Sequence, residues 1–231
     1  MRTFLTPVEL DALSLSLEVA TRSVLFSLPP AIIIAWLLTR ARFPGRTLFD
    51  AIVHLPLVLP PVAVGYALLL LFGTRGPIGH WLDRQFGLVL VFSTAGAALA
   101  TSVMTFPLMV RSIRIALENV DRGLEAAART LGAGRFDRFA TITLPLMLPG
   151  ILAGVVTAFA ASLGEFGAVI TFVANIPGET RTLPLALYTA IQSPNGDALA
   201  LRLALLSFGL GLSGLLLAEF LARRMRKALG R

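Results

Sequence analysis

The sequence predicts an all-α integral membrane protein with about five transmembrane helices. Of its 231 residues, 56% are apolar and only 14% are charged, whereas an ordinary soluble domain carries about 25% charged residues. Five apolar runs are each long enough, at about 1.5 Å per helical residue, to cross a hydrocarbon core of roughly 30 Å. The runs cover residues 13–38, 51–72, 87–110, 146–173 and 199–222 of a single domain, 1–231.

Prolines in the first two runs predict kinked spans. Pro29 and Pro30 lie inside the first run, and Pro56, Pro60 and Pro61 lie in the second. Each proline removes a backbone donor and bends a helix. Kinked helices often line a pathway, but proline is also common in membrane helices in general, so both interpretations stay open.

The uneven distribution of basic residues orients the chain. Fourteen of the 20 lie after the first run, after the third run or in the C-terminal tail. With five crossings these regions share one side, which the positive-inside rule makes cytoplasmic, with the N-terminus outside. The net charge of +7 therefore sets topology and does not indicate a nucleic-acid partner.

A sixth apolar run, residues 183–191, is too short to cross. A nine-residue helix extends about 14 Å. A sixth crossing would also move the basic C-terminal tail outside, against the charge rule. We therefore expect an outer re-entrant or interfacial helix, buried by the rest of the protein.

Composition excludes several kinds of catalytic site. The chain has no cysteine, so it has neither a thiolate metal site nor a cysteine nucleophile. His54 and His80 are too far apart in sequence for a helical metal-binding pair or an evident catalytic cluster, which argues against an intramembrane enzyme. The single lysine, Lys227, precedes Ala228, so no phosphate-binding loop is present. We expect no catalytic residue, metal or cofactor, and ATP hydrolysis only by a separate subunit.

The long hydrophilic loop, about 111–145, is patterned as two short helices. Residues 123–131 favour a helix, and Gly132 follows where a helix C-terminus prefers glycine. Residues 135–139 form a second amphipathic stretch, after which Pro145 can open the next membrane helix. The loop is therefore predicted to be an ordered cytoplasmic element and not a spacer.

The outward face of this loop combines small and apolar side chains. Ala126, Ala127 and Gly132 would let a partner approach closely, beside the apolar Leu131 and Phe136. This composition favours a docking surface for a second protein. The alternative is a compact connection that contacts only its own helix bundle.

The loop resembles the EAA loop of ABC importer permeases. In that motif three residues separate the paired alanines from a glycine, and nine residues separate the glycine from an Ile-x-Leu-Pro segment. The matching residues are Ala127, Ala128, Gly132, Ile142, Leu144 and Pro145. The family's Glu position falls on Ala126, and Glu125 lies one residue earlier. The resemblance implies a coupling helix that docks on an ATPase subunit. The coupling residues that it implies are Glu125, Ala127, Ala128, Leu131, Gly132, Leu144 and Pro145.

Four further stretches resemble the molybdate-type branch of these permeases. They cover residues 54–61, 106–111, 162–168 and 175–182, and sulfate permeases share the first and third. The resemblance implies import of molybdate across the bacterial inner membrane, a homodimer of this chain within membrane lipid, two ATP-binding subunits and a periplasmic molybdate-binding protein. The alternatives are a sulfate or tungstate ABC permease or, outside this family, a stand-alone secondary anion transporter.

The ionisable residues near the predicted outer ends give candidates for a gate or outer site. Glu165 lies toward the end of the fourth run, where intramembrane carboxylates are often functional. We expect it to act at an outer gate or docking site, paired with Arg181, or as a structural hydrogen-bond acceptor. Glu18 and Arg22 have the spacing of a helical ion pair, and Arg202 is expected to extend to the membrane interface.

Overall fold

The computed structural model describes residues 5–228, and all regular elements within this range are helical. A 3-10 turn, Leu55–Leu57, follows α2, and a π-helical turn, Phe139–Thr143, joins α7 to α8. The helices are α1 (Pro7–Arg40), α2 (Arg46–His54), α3 (Pro61–Phe72), α4 (Pro77–Phe86), α5 (Thr94–Glu118), α6 (Arg122–Thr130), α7 (Arg135–Arg138), α8 (Leu144–Leu163), α9 (Gly167–Val173), α10 (Leu183–Ile191) and α11 (Asp197–Ala228).

Four helical segments are long and apolar enough to cross a membrane. They are Pro7–Arg40, Thr94–Glu118, Arg135–Leu163 and Asp197–Leu217. The segments Arg46–Leu57 and Pro61–Phe72 satisfy the same test as a pair and are bent by 112° at their junction. The expected all-α architecture with about five spans is therefore confirmed.

The first two apolar runs, both of which contain prolines, behave differently. α1 continues as one helix across Pro29 and Pro30 and packs against α5 and α8. In the second run the helix stops, and Pro60 is extended (φ −55°, ψ 132°) before Pro61 begins α3. A residue that precedes proline is disfavoured in the α conformation, which explains a break at Pro60.

The predicted start of the third span is wrong. Residues 87–93 are not helical, and α5 begins at Thr94, after Ser93 accepts a hydrogen bond from the Gly96 amide at 3.1 Å. Gly87, with φ +62°, ends α4, and the apolar residues that follow form a connection in which Val91 is buried. An apolar run alone does not distinguish such a buried connection from the first turns of a helix.

The predicted fourth span is divided, and its helix starts earlier than expected. α8 ends at Leu163 and α9 starts at Gly167, so the run 146–173 is not one helix. The helical path is continuous from Arg135, and the Leu144 amide bonds to the Phe139 carbonyl across the π turn. Pro145 therefore lies in the first turn of α8 without separating it from α7. Widening the helix before Pro145 accommodates a residue that has no N–H to donate.

The short helix α10 has the predicted bounds, 183–191, and packs one of its faces against the rest of the bundle. Its residues Leu183, Ala186 and Ala190 are buried against Ala12 of α1 and Leu203 of α11. The Leu183 amide at its start donates to Ser16 Oγ of α1 at 2.7 Å. α10 is thus covered by protein on this face, as a helix that does not cross must be at membrane depth.

Candidate coupling surface

The helix α6 is closed at both ends by local hydrogen bonds. Asp121 Oδ1 accepts from the Gly123 amide at 2.7 Å at the start. At the end Gly132 takes φ +90°, its amide bonds to the Arg129 carbonyl at 3.1 Å, and the Ala133 amide bonds to the Ala128 carbonyl at 3.0 Å. These are the two bonds of a Schellman termination, which requires a left-handed residue and so favours glycine. The predicted helix and its terminal glycine are confirmed to within one residue.

The surface of this segment exposes large apolar side chains. Leu131 is 87% exposed and Phe136 is 82% exposed. Ala126 and Ala127 are also exposed, and nothing lies within 4 Å of the position that a Cβ on Gly132 would take. Exposed apolar side chains on an ordered element are typical of a surface that another protein covers.

Glu125 fixes the opposite side of α6 to the membrane helices. Arg40 Nη2, at the end of α1, donates to Glu125 Oε1 at 3.0 Å, and Thr143 Oγ1 donates to the same oxygen at 2.8 Å. The Glu125 and Arg40 side chains are only 24% and 14% exposed. This partly buried, hydrogen-bonded ion pair links α6 to both α1 and the π turn at once.

The predicted coupling residues therefore divide between two sides. Ala127, Leu131 and Gly132 are exposed, whereas Glu125 is partly buried against α1 and Ala128 is half-buried. Leu144 is half-buried and packs against the core formed by α1, α5 and α8, while Pro145 is exposed.

Sequence reasoning missed Arg40 and Thr143, the partners of Glu125. Arg40 is 85 residues away from Glu125 in sequence, and no periodicity relates the two. The one signal for Arg40 in the sequence is its position just after the end of the first apolar run.

A second polar cluster, which sequence reasoning also missed, ties α2 to α5 near the same end of the bundle. Arg114 Nη1 donates to Asp50 Oδ2 at 2.8 Å, and Arg114 Nε donates to Glu118 Oε1 at 2.9 Å. His54 Nδ1 lies 2.9 Å from the Asp50 carbonyl oxygen. Arg114 thus has two carboxylates as partners. Among the side chains that the structure describes, no three of His, Asp or Glu come together as metal ligands.

The structure does not bring the two candidate outer residues together. Glu165 Oε1 accepts from the Ala168 amide at 2.9 Å at the start of α9, and Arg181 Nε donates to Asn175 Oδ1 at 2.8 Å. No Glu165–Arg181 ion pair occurs in the described part of the chain. The break at residues 164–166 explains this, because it leaves unpaired amides at the start of α9 that Glu165 can cap.

Arg22 and Arg202, two further charges that the sequence singles out, are each paired with a carboxylate. The expected Glu18–Arg22 ion pair is present. Arg202 does not simply extend to the interface as predicted, because its Nη2 donates to Glu9 Oε2 at 2.9 Å. The Glu9 side chain is fully buried and also accepts from the Thr6 amide at the start of α1. A buried carboxylate needs such a counter-charge, which explains why Arg202 is held between α1 and α11.

A cavity of about 870 Å³ lies between α1, α5 and the bend that joins α2 to α3. Most of its walls are apolar, among them Phe26, Val53 and Phe106. Arg22 supplies a charge, and Ser27 and Ser102 supply hydroxyl groups. Such walls offer few tight contacts to a hydrated anion.

Several helices that are long and apolar enough to cross a membrane, together with an ordered loop that exposes apolar side chains, are typical of a membrane component that docks a partner. The chain belongs to the family described as binding-protein-dependent transport system inner membrane component, which matches residues 27–227. Members of this family are membrane permease subunits of ABC importers whose partner subunit hydrolyses ATP, so the chain is not itself an enzyme.

Two curated relatives and one solved structure show which proteins of known name the chain is similar to. The chain is 60% identical over 227 residues to the molybdenum transport system permease protein ModB of Escherichia coli K12, covering 98% of this chain and 99% of that protein. It is 40% identical over 172 residues to the sulfate transport system permease protein CysT of the same organism, covering 73% of this chain and 62% of the relative. In fold it is similar to a chain of a bacterial ABC transporter for alginate import, with a TM-score of 0.77, 20% identity, and coverage of 96% of this chain and 81% of that chain.

Proposed function

We propose that the chain is the permease subunit of an ATP-driven importer that carries molybdate across the inner membrane. The higher identity and fuller coverage of the molybdenum relative, compared with the sulfate relative, support molybdate as the substrate. The apolar surface exposed around Leu131 is the observation that supports coupling to an ATP-binding partner.

The working assembly contains two copies of this chain, two ATP-binding subunits and a periplasmic molybdate-binding protein, all set in membrane lipid. The clustering of basic residues supports a cytoplasmic C-terminus and an outer N-terminus. This orientation places the loop 111–145 in the cytoplasm, where the ATP-binding subunits work.

Movement of the ATP-binding subunits reaches the membrane through the loop. The exposed residues Leu131 and Gly132 form the contact, and Glu125 transmits displacement of α6 to α1 through Arg40. Leu144 and Pro145 at the start of α8 provide the second route, because the helical path runs without interruption from Arg135. A rigid link of this kind is what a coupling element between two states requires.

Glu165 and Arg181 act near the outer mouth, as a gate or as an outer site. Each is held by a neighbouring polar group, and Arg181 lacks a carboxylate partner in the described part of the chain. Arg181 could therefore favour an arriving anion without help from Glu165. The apolar cavity beside α1 and α5 is consistent with a path that does not trap the anion.

The test is reconstitution. The chain, its ATP-binding subunits and the loaded binding protein should together import labelled molybdate into liposomes only when ATP is present. Competition with unlabelled tungstate and sulfate distinguishes the substrates, and sulfate that competes as well as molybdate would contradict the proposed selectivity. Uptake by the chain alone, without ATP, would show a secondary transporter instead.

A further inference from the structure

A cavity of about 290 Å³ lies beneath α6, where the Arg40 end of α1 meets α7 and the π turn. Its charged and hydroxyl lining consists of Arg40, Glu125, Arg135, Arg138 and Thr143. Three guanidinium groups thus face one carboxylate. The excess positive charge makes the cavity attractive to an anion.

Two of these arginines have no carboxylate partner in the described part of the chain. Arg138 is half-buried, and its guanidinium lies 3.3 Å from the Gly134 carbonyl oxygen and 3.5 Å from that of Glu125. The Arg135 guanidinium is exposed and makes no hydrogen bond or ion pair with any group that the structure describes. Guanidinium groups bind phosphate oxygens in pairs, so these two have the donors for such a ligand.

An apolar stripe on α1 leads to this cavity. Pro29, Ile33, Trp36 and Arg40 fall on one face of the helix; Pro29 is exposed, and Ile33 and Trp36 are 59% and 43% exposed. Trp36 also lines the cavity. Tryptophan is enriched at the level of lipid headgroups, so the stripe ends where the hydrocarbon core gives way to the interface.

We propose that this cavity binds the phosphate of an anionic phospholipid, whose acyl chains lie along the α1 stripe. Arg135 and Arg138 donate to the phosphate, while Arg40 remains bound to Glu125. The bound lipid would hold α7 against α1 directly beneath the coupling helix α6. The site requires that the membrane interface lies at the level of Arg40. It does not depend on which anion is transported or on which side of the membrane this interface faces.

Native mass spectrometry of the purified full-length chain tests the binding, with phosphatidylglycerol as probe and phosphatidylcholine as the neutral reference. Wild type should retain phosphatidylglycerol, and the double variant R135Q/R138Q should retain it about tenfold less, as expected for a lost charge-assisted hydrogen bond. Arg84→Gln, an exposed change on α4 outside both the cavity and the coupling helix, is the control and should bind as wild type. Arg138→Lys, which keeps the charge, should preserve most of the retention.

Equal retention by wild type and R135Q/R138Q would overturn the proposal. Displacement of the lipid by inorganic phosphate or molybdate would also overturn it, because the cavity would then be a site for free oxyanions. These measurements require no transport, so their failure is separate from failure of the proposed function. In liposomes that contain the ATP-binding subunits and receive the loaded binding protein, phosphatidylglycerol should raise ATP-coupled uptake for wild type and Arg84→Gln but not for the double variant. An equal rise in all three would contradict the link to coupling.

Discussion

The two segments that connect the later membrane helices are built in opposite ways. Residues 119–143, between α5 and α8, leave Leu131 and Phe136 open to solvent. Residues 164–196, between α8 and α11, bury Leu183 and Leu185 within the bundle. Both segments contain short helices and apolar residues, so composition alone does not distinguish them. The exposure of apolar side chains in the first segment supports docking of a partner there. The burial of apolar side chains in the second shows that it packs within its own bundle.

The polar contacts of the two segments show the same contrast. In segment 164–196 Thr180 Oγ1 accepts from the Ile176 amide at 2.9 Å and donates to the Ala174 carbonyl at 3.1 Å, which closes the loop on itself. In segment 119–143 Glu125 binds Arg40 from one side of α6, while the other side of the helix remains exposed. We therefore expect changes in segment 164–196 to affect stability and changes on the exposed side of α6 to affect coupling.

The largest effect is expected for Gly132→Asp. A side chain at φ +90° costs about 1–2 kcal/mol, and the new charge lies beside the exposed apolar surface. Transport and partner-stimulated ATP hydrolysis should be lost in proteoliposomes, while the amount of protein inserted in the membrane should not change. Gly87→Asp is the control, because residue 87 also has a positive φ, of 62°, and open space at its Cβ position but lies at the end of α4, outside the loop 111–145. Wild-type transport by Gly132→Asp would show that this segment does not dock the partner.

Leu131→Ala should weaken binding of the ATP-binding subunit by about 2 kcal/mol, the loss typical of an apolar anchor at the centre of an interface. The thermal stability of the chain alone should hardly change, because Leu131 is exposed. The dissociation constant, measured with the subunit titrated onto the reconstituted chain, reports the effect. Ile191→Ala, an exposed residue at the end of α10, is the control, and an equal loss in both variants would remove the contrast between the segments.

Ser16→Ala should destabilise the fold by about 1.5 kcal/mol, because the buried Leu183 amide loses its acceptor. The thermal midpoint of unfolding should fall, whereas affinity for the ATP-binding subunit in the folded protein should stay the same. Ser14→Ala provides the comparison, since the Ser14 hydroxyl is exposed and bonds within its own helix. A midpoint that does not move would mean that α10 is not held through this bond.

A smaller effect is expected from the Glu125–Arg40 pair. Glu125→Arg and Arg40→Glu should each lower the amount of molybdate imported per ATP hydrolysed, since α6 loses its bond to α1. The double variant Glu125→Arg/Arg40→Glu should recover part of the lost molybdate import per ATP, with a coupling energy of about 1 kcal/mol between the two positions. Additive losses in the double variant would show that this pair does not transmit the motion.

Local patterns predicted local structure well. The bounds of α10, the helix α6 and the role of Gly132 follow from residues adjacent in sequence, so propensity and glycine placement were sufficient. The breaks at residues 58–60 and 164–166 were not predicted, because an apolar run has the same appearance whether or not the helix continues through it.

Pairings between distant residues could not be predicted either. Glu125 with Arg40 and Glu9 with Arg202 join elements that only the packed bundle brings together. Each involves a charge that the sequence showed near the end of an apolar run, where extension to the membrane interface is the usual expectation. A buried or partly buried carboxylate favours the ion pair over extension of the arginine to the interface. Burial is a property of the tertiary fold, which the sequence pattern does not show.

Single introduced cysteines test the contrast between the two segments most directly, because the chain contains no cysteine of its own. Leu131→Cys and Gln192→Cys place one thiol at an exposed position in each segment. A membrane-impermeant maleimide should label Leu131→Cys only in inside-out vesicles, and bound ATP-binding subunit should prevent the labelling. Gln192→Cys should react only from the opposite side, with or without the subunit. Labelling of Leu131→Cys that the subunit does not reduce, or that occurs from the outer side, would contradict the assignment of this segment as the coupling surface.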